Sequence, residues 1–86
     1  MCTMISITDA IRGVGKGSKG WFPLTESVVG YDHSTHSSDE HSLLIDFVNY
    51  EIGTDARVAV ELDLDAGRTL VAQLQKAIEL AEASGV

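Results

Sequence analysis

The apolar residues of this chain change period once, at Asp63, and that change limits the fold more than any other feature. Upstream they alternate: Ile5, Ile7 and Ile11 within residues 3–12, a second run over 22–33, then Leu43, Ile45 and Phe47 within 41–48, and Val58, Val60 and Leu62 within 57–62. A period of two puts every second side chain on the same side of an extended strand. Downstream, Leu70, Val71, Leu74, Ala77, Ile78 and Ala81 recur three and four residues apart, which is one stripe of a helix. Asp63 or Asp65 can cap its start and Gly85 suits its end. The expected fold is therefore α+β in a single domain over residues 1–86: a four-stranded antiparallel β-meander with one C-terminal helix packed on one face, in the order ββββα.

Short connections favour hairpins between neighbouring strands. Setting Ile7 opposite Ser27, Val29 opposite Ile45, and Ile45 opposite Val60 brings the alternating apolar residues onto one face. A one-residue slip in any pair would turn a strand over. That face is the expected core under the helix. The opposite face carries Met4, Phe22, Leu24, Val28, Leu44 and Val48 beside Arg57. A solvated antiparallel face is normally polar, so these seven residues are the candidate interface with a partner, either a second copy or a larger protein.

At 86 residues the chain buries a modest core, and its single cysteine, Cys2, excludes an internal disulfide. Thirteen acidic residues against six basic ones give a net charge of −7, which argues against nucleic acid and anionic membrane surfaces as partners. The N-terminal residues show no targeting pattern, and the expected location is the cytoplasm.

All three histidines lie between positions 33 and 41, in the run Tyr31-Asp32-His33-Ser34-Thr35-His36-Ser37-Ser38-Asp39-Glu40-His41. The register sets His33 opposite His41, close enough for two imidazoles to meet. His36 and Glu40 belong to the loop that closes this pair. Such a group can move protons near neutral pH, with His33, His36 and His41 as acids or bases and Glu40 and Asp32 fixing their tautomers. No cofactor is needed for that chemistry. The alternative is a stand-alone metal-dependent enzyme, with His33, His36, His41 and Glu40 holding zinc or iron. A third reading makes the chain a non-catalytic binding or stabilising module whose histidines cap the core. A domain this small has little room for a pocket of ~300 Å³, so a site built here is expected to need a partner's walls.

Residues 13–20, Gly-Val-Gly-Lys-Gly-Ser-Lys-Gly, read as a loop. They match G-x-G-x-x-G in form, but a strand follows where the dinucleotide fingerprint requires a helix, and that function is set aside. Lys16 and Lys19 remain candidates to hold an anionic small-molecule substrate, with Trp21 and Tyr31 as aromatic contacts. Cys2 falls opposite Asp32, an acidic neighbour that disfavours a reactive thiolate.

The combination of Gly15-Lys16-Gly17, Gly20-Trp21-Phe22-Pro23, Tyr31-Asp32-His33-x-x-His36-x-x-x-Glu40-His41-x-Leu43-x-Ile45-Asp46-Phe47 and Ala56-Arg57-Val58-Ala59-Val60-Glu61-Leu62 resembles a family of small bacterial proteins of unknown function. The likeness runs over almost the whole chain from Cys2-Thr3. Trp21, Asp32, His33, His36, Glu40, His41, Asp46 and Arg57 match its polar and aromatic positions. The resemblance implies a partner of larger proteins in specialised, natural-product metabolism, including heteromeric enzymes that close an aziridine ring by eliminating sulfate. The leading expectation is thus a small enzyme subunit of a homo- or heteromeric assembly.

Overall fold

The computed structural model describes residues 5–85. It contains β1 (Ile5–Gly17), β2 (Gly20–His33), β3 (His41–Val48), β4 (Arg57–Leu62) and α1 (Leu64–Ala83). The strands form one antiparallel sheet in the order β1-β2-β3-β4, so the ββββα meander expected from the sequence is the fold. Met4 and Cys2 lie outside the described residues.

Two of the three expected registers are found residue for residue: Val29 pairs with Ile45, Ile45 with Val60, and His33 with His41. The first hairpin differs. Its glycine-rich run is not a loop but the end of β1, which reaches Gly17 and turns through Ser18 and Lys19 into Gly20. Gly20 has φ +109°, a left-handed value that side chains avoid, and this permits the two-residue turn. Counted back from that turn, Ile7 would lie opposite Gly30 and face away from the helix. A β-bulge between Ala10 and Gly13 adds one residue to β1, and Ile7 lies opposite Val29 instead. The bulge thereby returns Ile5 and Ile7 to the face of Val29 and Tyr31. The register is two residues from the one expected, an even shift that keeps the face.

The glycines of β1 allow close approach. A Cβ on Gly15 would lie 3.0 Å from Leu24 Cδ2 and 3.2 Å from Val58 Cγ2, so the sheet coils until its two edge strands meet at this end. There the 49–56 loop is tied down by Asn49, whose Nδ2 donates to the Pro23 carbonyl at 2.9 Å. Val48 and Ala56 are buried here, at 1% and 5% exposure. Val48 is thus unavailable to a partner, contrary to its place on the expected interface, because the coiled hairpin end and this loop close over it.

The helix starts where the sequence indicates. Asp63 caps it, its carboxylate accepting from the Ala66 amide at 2.7 Å. It meets the sheet sparsely, at β3 and β4. Gly67 is its one buried residue, set so close to Leu43 that a Cβ would fall 2.2 Å from Leu43 Cδ1. Beyond that contact helix and sheet diverge. The expected core under the helix is therefore open: Ile5, Ile7 and Ile11 are 45%, 57% and 40% exposed, and Val71, Leu74 and Ile78 more than half exposed. The Cα radius of gyration is 14.6 Å, against about 12 Å for a compact chain of this length.

Candidate functional site

The three histidines divide between the two faces of the sheet. His33 ends β2 and His41 begins β3 as a register pair, with ring centroids 4.5 Å apart and planes tilted by 32°. Tyr31 stacks on His41 at 5.9 Å. This aromatic row continues the phase of Leu43 and lies on the helix side. The Asp32 carboxylate accepts from the His33 backbone amide at 2.7 Å, which fixes the end of the strand. Glu40 extends its side chain into solvent, and its carbonyl receives the Ser34 amide at 3.1 Å.

His36 belongs to a second group, built around Glu61 on β4. Glu61 accepts from the amides of Thr35, His36 and Ser37 at 3.1, 2.9 and 2.7 Å, and from the Thr35 hydroxyl at 2.5 Å. Three successive amides converge on one carboxylate, an anion nest that the chain fills itself. The Thr35 hydroxyl, followed by the Ser37 amide, outweighs desolvation and holds the Glu61 carboxyl at about 2, below its ordinary 4.5. His36 Nδ1 lies 2.9 Å from Thr35 Oγ1 and 3.6 Å from Glu61 Oε2. The ring is 89% exposed, while the Glu61 side chain beneath it is 15% exposed. The imidazole is thus anchored on one edge and open on the other.

A groove of about 530 Å³ runs from this group along the outer face to Asp46 and Arg57. Arg57 pairs with Asp46 through Nε and Nη2, both at 3.0 Å. A second cleft, of about 630 Å³, separates the sheet from the helix. Both are wide and open rather than sealed, because the layers of the chain do not close over them.

The four groups considered as metal ligands do not assemble in this chain. His33 and His41 meet, His36 turns to Glu61, and no three His, Cys, Asp or Glu among the described residues are placed to share an ion. Nor do the lysines reach the histidines. Lys19, at the turn, makes a 2.9 Å ion pair with Asp55; the hydrogen bond, then the attraction of the charges, raises the lysine pKa and lowers that of the carboxyl. Lys16 lies opposite Trp21, at the other end of β2 from His33, roughly 40 Å away at the strand rise per residue. One small substrate cannot touch both ends of the same chain.

A model of the family of unknown function DUF6295 matches residues 1–86. The chain belongs to that family. No curated protein and no solved structure matches the chain. Membership covers the full chain and assigns no activity. Among the described residues no helix is long and apolar enough to cross a membrane.

Sequence reasoning found the His33–His41 pair but missed Glu61 and Thr35 as partners of His36. The β3–β4 register was a usable signal, because Glu61 opposite Leu44 lies near the start of β3 and hence near the 34–40 loop. The convergence of three amides was not readable from residue types.

The depressed carboxyl sets a pH window. What ionised Glu61 contributes is fully present above pH 4.5 and is lost as the pH falls toward 2. The amide resonances of Thr35, His36 and Ser37 are expected to titrate together with a midpoint near 2. In Glu61→Gln that shared transition should vanish and exchange of the three amides should quicken. A midpoint at the ordinary glutamate value would show that the nest does not hold the carboxylate in solution.

Proposed function

We propose that the chain is a small subunit of a homo- or heteromeric assembly, contributing a histidine–carboxylate acid–base or substrate-positioning site to an enzyme of bacterial specialised metabolism. The observation that carries this reading is the uncovered apolar surface: sheet and helix each present an apolar side to the other and leave it open. His36 is the group best suited to move a proton, since Glu61 and Thr35 hold it and its far edge is free. Arg57, in the same groove, suits an anionic substrate group. Aziridine closure by sulfate elimination fits these parts. The substrate nitrogen forms a bond to the carbon bearing the sulfate ester, the C–O bond breaks, sulfate departs with its electron pair, and the nitrogen's proton passes to the imidazole. Tyr31, His33 and His41, at the end of the open cleft, would border the surface that a partner covers.

The test is to isolate the tagged chain from a native lysate, record its mass intact, and compare His36→Ala with the double variant His33→Ala/His41→Ala. The expected result is an oligomer or complex that persists in both, with turnover of a sulfate-ester amine lost in His36→Ala. A folded monomer with nothing bound would overturn the subunit reading; an assembly in which His36→Ala keeps full turnover would remove His36 as the proton carrier.

A further inference from the structure

The chain exposes 6611 Å² of surface. A compact monomer of 9.2 kDa is expected to expose about 4,900 Å², so the excess is about 1,700 Å² per chain. A stable interface of ordinary size covers about 800 Å² per partner, and obligate homodimers bury about 2,000–5,000 Å² in all. Two chains that each covered this excess would bury about 3,400 Å², inside the obligate range.

The cleft between sheet and helix has two apolar walls. Val29, Ile45 and Phe47 line the sheet side, and Leu70, Val71 and Leu74 the helix side, with Arg68 the only charged residue lining it among the described residues. The net charge of −7 is carried elsewhere and does not oppose filling it. A helix with an apolar stripe, a rod about 10 Å across, has the chemistry that these two walls call for. The chain itself contains such a helix. Helix α1 has 20 residues and so is about 30 Å long. Its stripe, on the same side as Gly67, is largely exposed.

Resting on the subunit reading above, we infer that the partner on this surface is a second copy of the chain: the two α1 helices exchange across a two-fold axis, each seated in the cleft between the other's helix and sheet. One symmetry operation then covers the sheet face and the helix stripe of both chains, because a two-fold interface uses the same patch twice. An unlike partner would have to supply a matching helix of its own.

The test uses the full chain. Light scattering should give twice 9.2 kDa, and the melting temperature should rise with protein concentration. Val71→Asp and Leu74→Asp place a charge in the stripe and should raise the dimer dissociation constant by at least about 30-fold. Leu80→Asp, equally exposed but outside the stripe, should leave it unchanged. Where a stripe variant fails to fold, isotope-filtered contacts in a mixed wild-type sample decide, and they should join Leu74 of one copy to Val29 of the other. A dimer lacking those contacts, or one dissociated by Leu80→Asp alone, overturns the proposal. So does a folded monomer with a melting temperature independent of concentration. If that monomer binds an unlike protein, only the second-copy proposal fails; if it binds nothing, the subunit reading fails with it.

Discussion

Gly30→Ala should destabilise the protein by about 1–3 kcal/mol, the usual cost of overpacking. Gly30 lies in β2 opposite Ser6, and a Cβ there would sit 2.6 Å from the Ile5 carbonyl oxygen. The obstacle is backbone, so no rotamer relieves it and β1 must move away from β2. Replacing glycine in extended backbone ordinarily stabilises by about 0.4–1 kcal/mol through the unfolded chain. The clash exceeds that gain. The damage should be local: at fixed protein concentration the urea midpoint falls, and amide protection is lost in residues 5–10 while β3 and β4 keep theirs. Gly67→Ala is the control. Its Cβ would come within 2.2 Å of Leu43, but of the methyl end of a flexible side chain, and alanine returns about 1 kcal/mol of helix propensity. Its net effect should be the smaller of the two. Equal stability of Gly30→Ala and wild type, with unchanged protection in β1, would show that the strands are not as close as Gly30 and Ile5 indicate.

How far the sequence exposes this molecule depends on whether the interaction concerned is periodic. The β2–β3 and β3–β4 registers followed from Leu43, Ile45, Phe47, Val58 and Val60, because alternation tolerates only even shifts once one face is apolar. The His33–His41 pair came with them. The β1–β2 register did not, since Gly13, Gly15 and Gly17 have no side chains to alternate and the bulge at Ile11 and Arg12 leaves no periodic mark. Glycines that read as a flexible loop serve instead as thin backbone where β1 passes Leu24 and Val58. The helix was legible in its stripe and in its Asp63 cap, but where it leaves the sheet was not. That divergence follows from tight seating at Gly67 followed by residues too bulky for the same approach. In the site, His36 was grouped with its sequence neighbours, whereas backbone amides decide its place through Glu61, 25 residues away.

The open cleft and the filled anion nest separate two groups of residues that lie together in the sequence. His33, His41 and Tyr31 share the face that the proposed partner would cover, so on that proposal any chemistry of theirs depends on assembly. His36, Glu61 and Arg57 share the outer groove and need no neighbour to hold their geometry. Substitutions on the outer face should therefore alter chemistry without altering mass, and substitutions in the helix stripe should do the reverse.

Asn49→Ala should cost about 1–3 kcal/mol, because Asn49 is the buried polar side chain that ties the 49–56 loop to the first hairpin, beside the exposed Lys19–Asp55 pair, and its loss leaves the Pro23 carbonyl without that donor. Asn49 is 5% exposed. Its Nδ2 donates to Pro23 and its Oδ1 accepts from the Glu51 amide at 3.2 Å, while its backbone bonds to Ala56 and Ile52 close the turn. Water cannot replace these partners without opening the contact that buries Val48. Asn49→Asp sharpens the test. It keeps the acceptor for Glu51 but, when ionised, directs a negative oxygen at the Pro23 carbonyl. Burial and that repulsion should raise the carboxyl pKa above its unfolded value. The folded state then binds the proton more tightly, so stability should fall as pH rises from the unfolded to the folded pKa and return on acidification. Thermal melts of both variants between pH 4 and 8, at one protein concentration, decide the matter. If Asn49→Asp matches wild type at every pH, the side chain does not hold the loop to Pro23 and the burial of Val48 must have another cause.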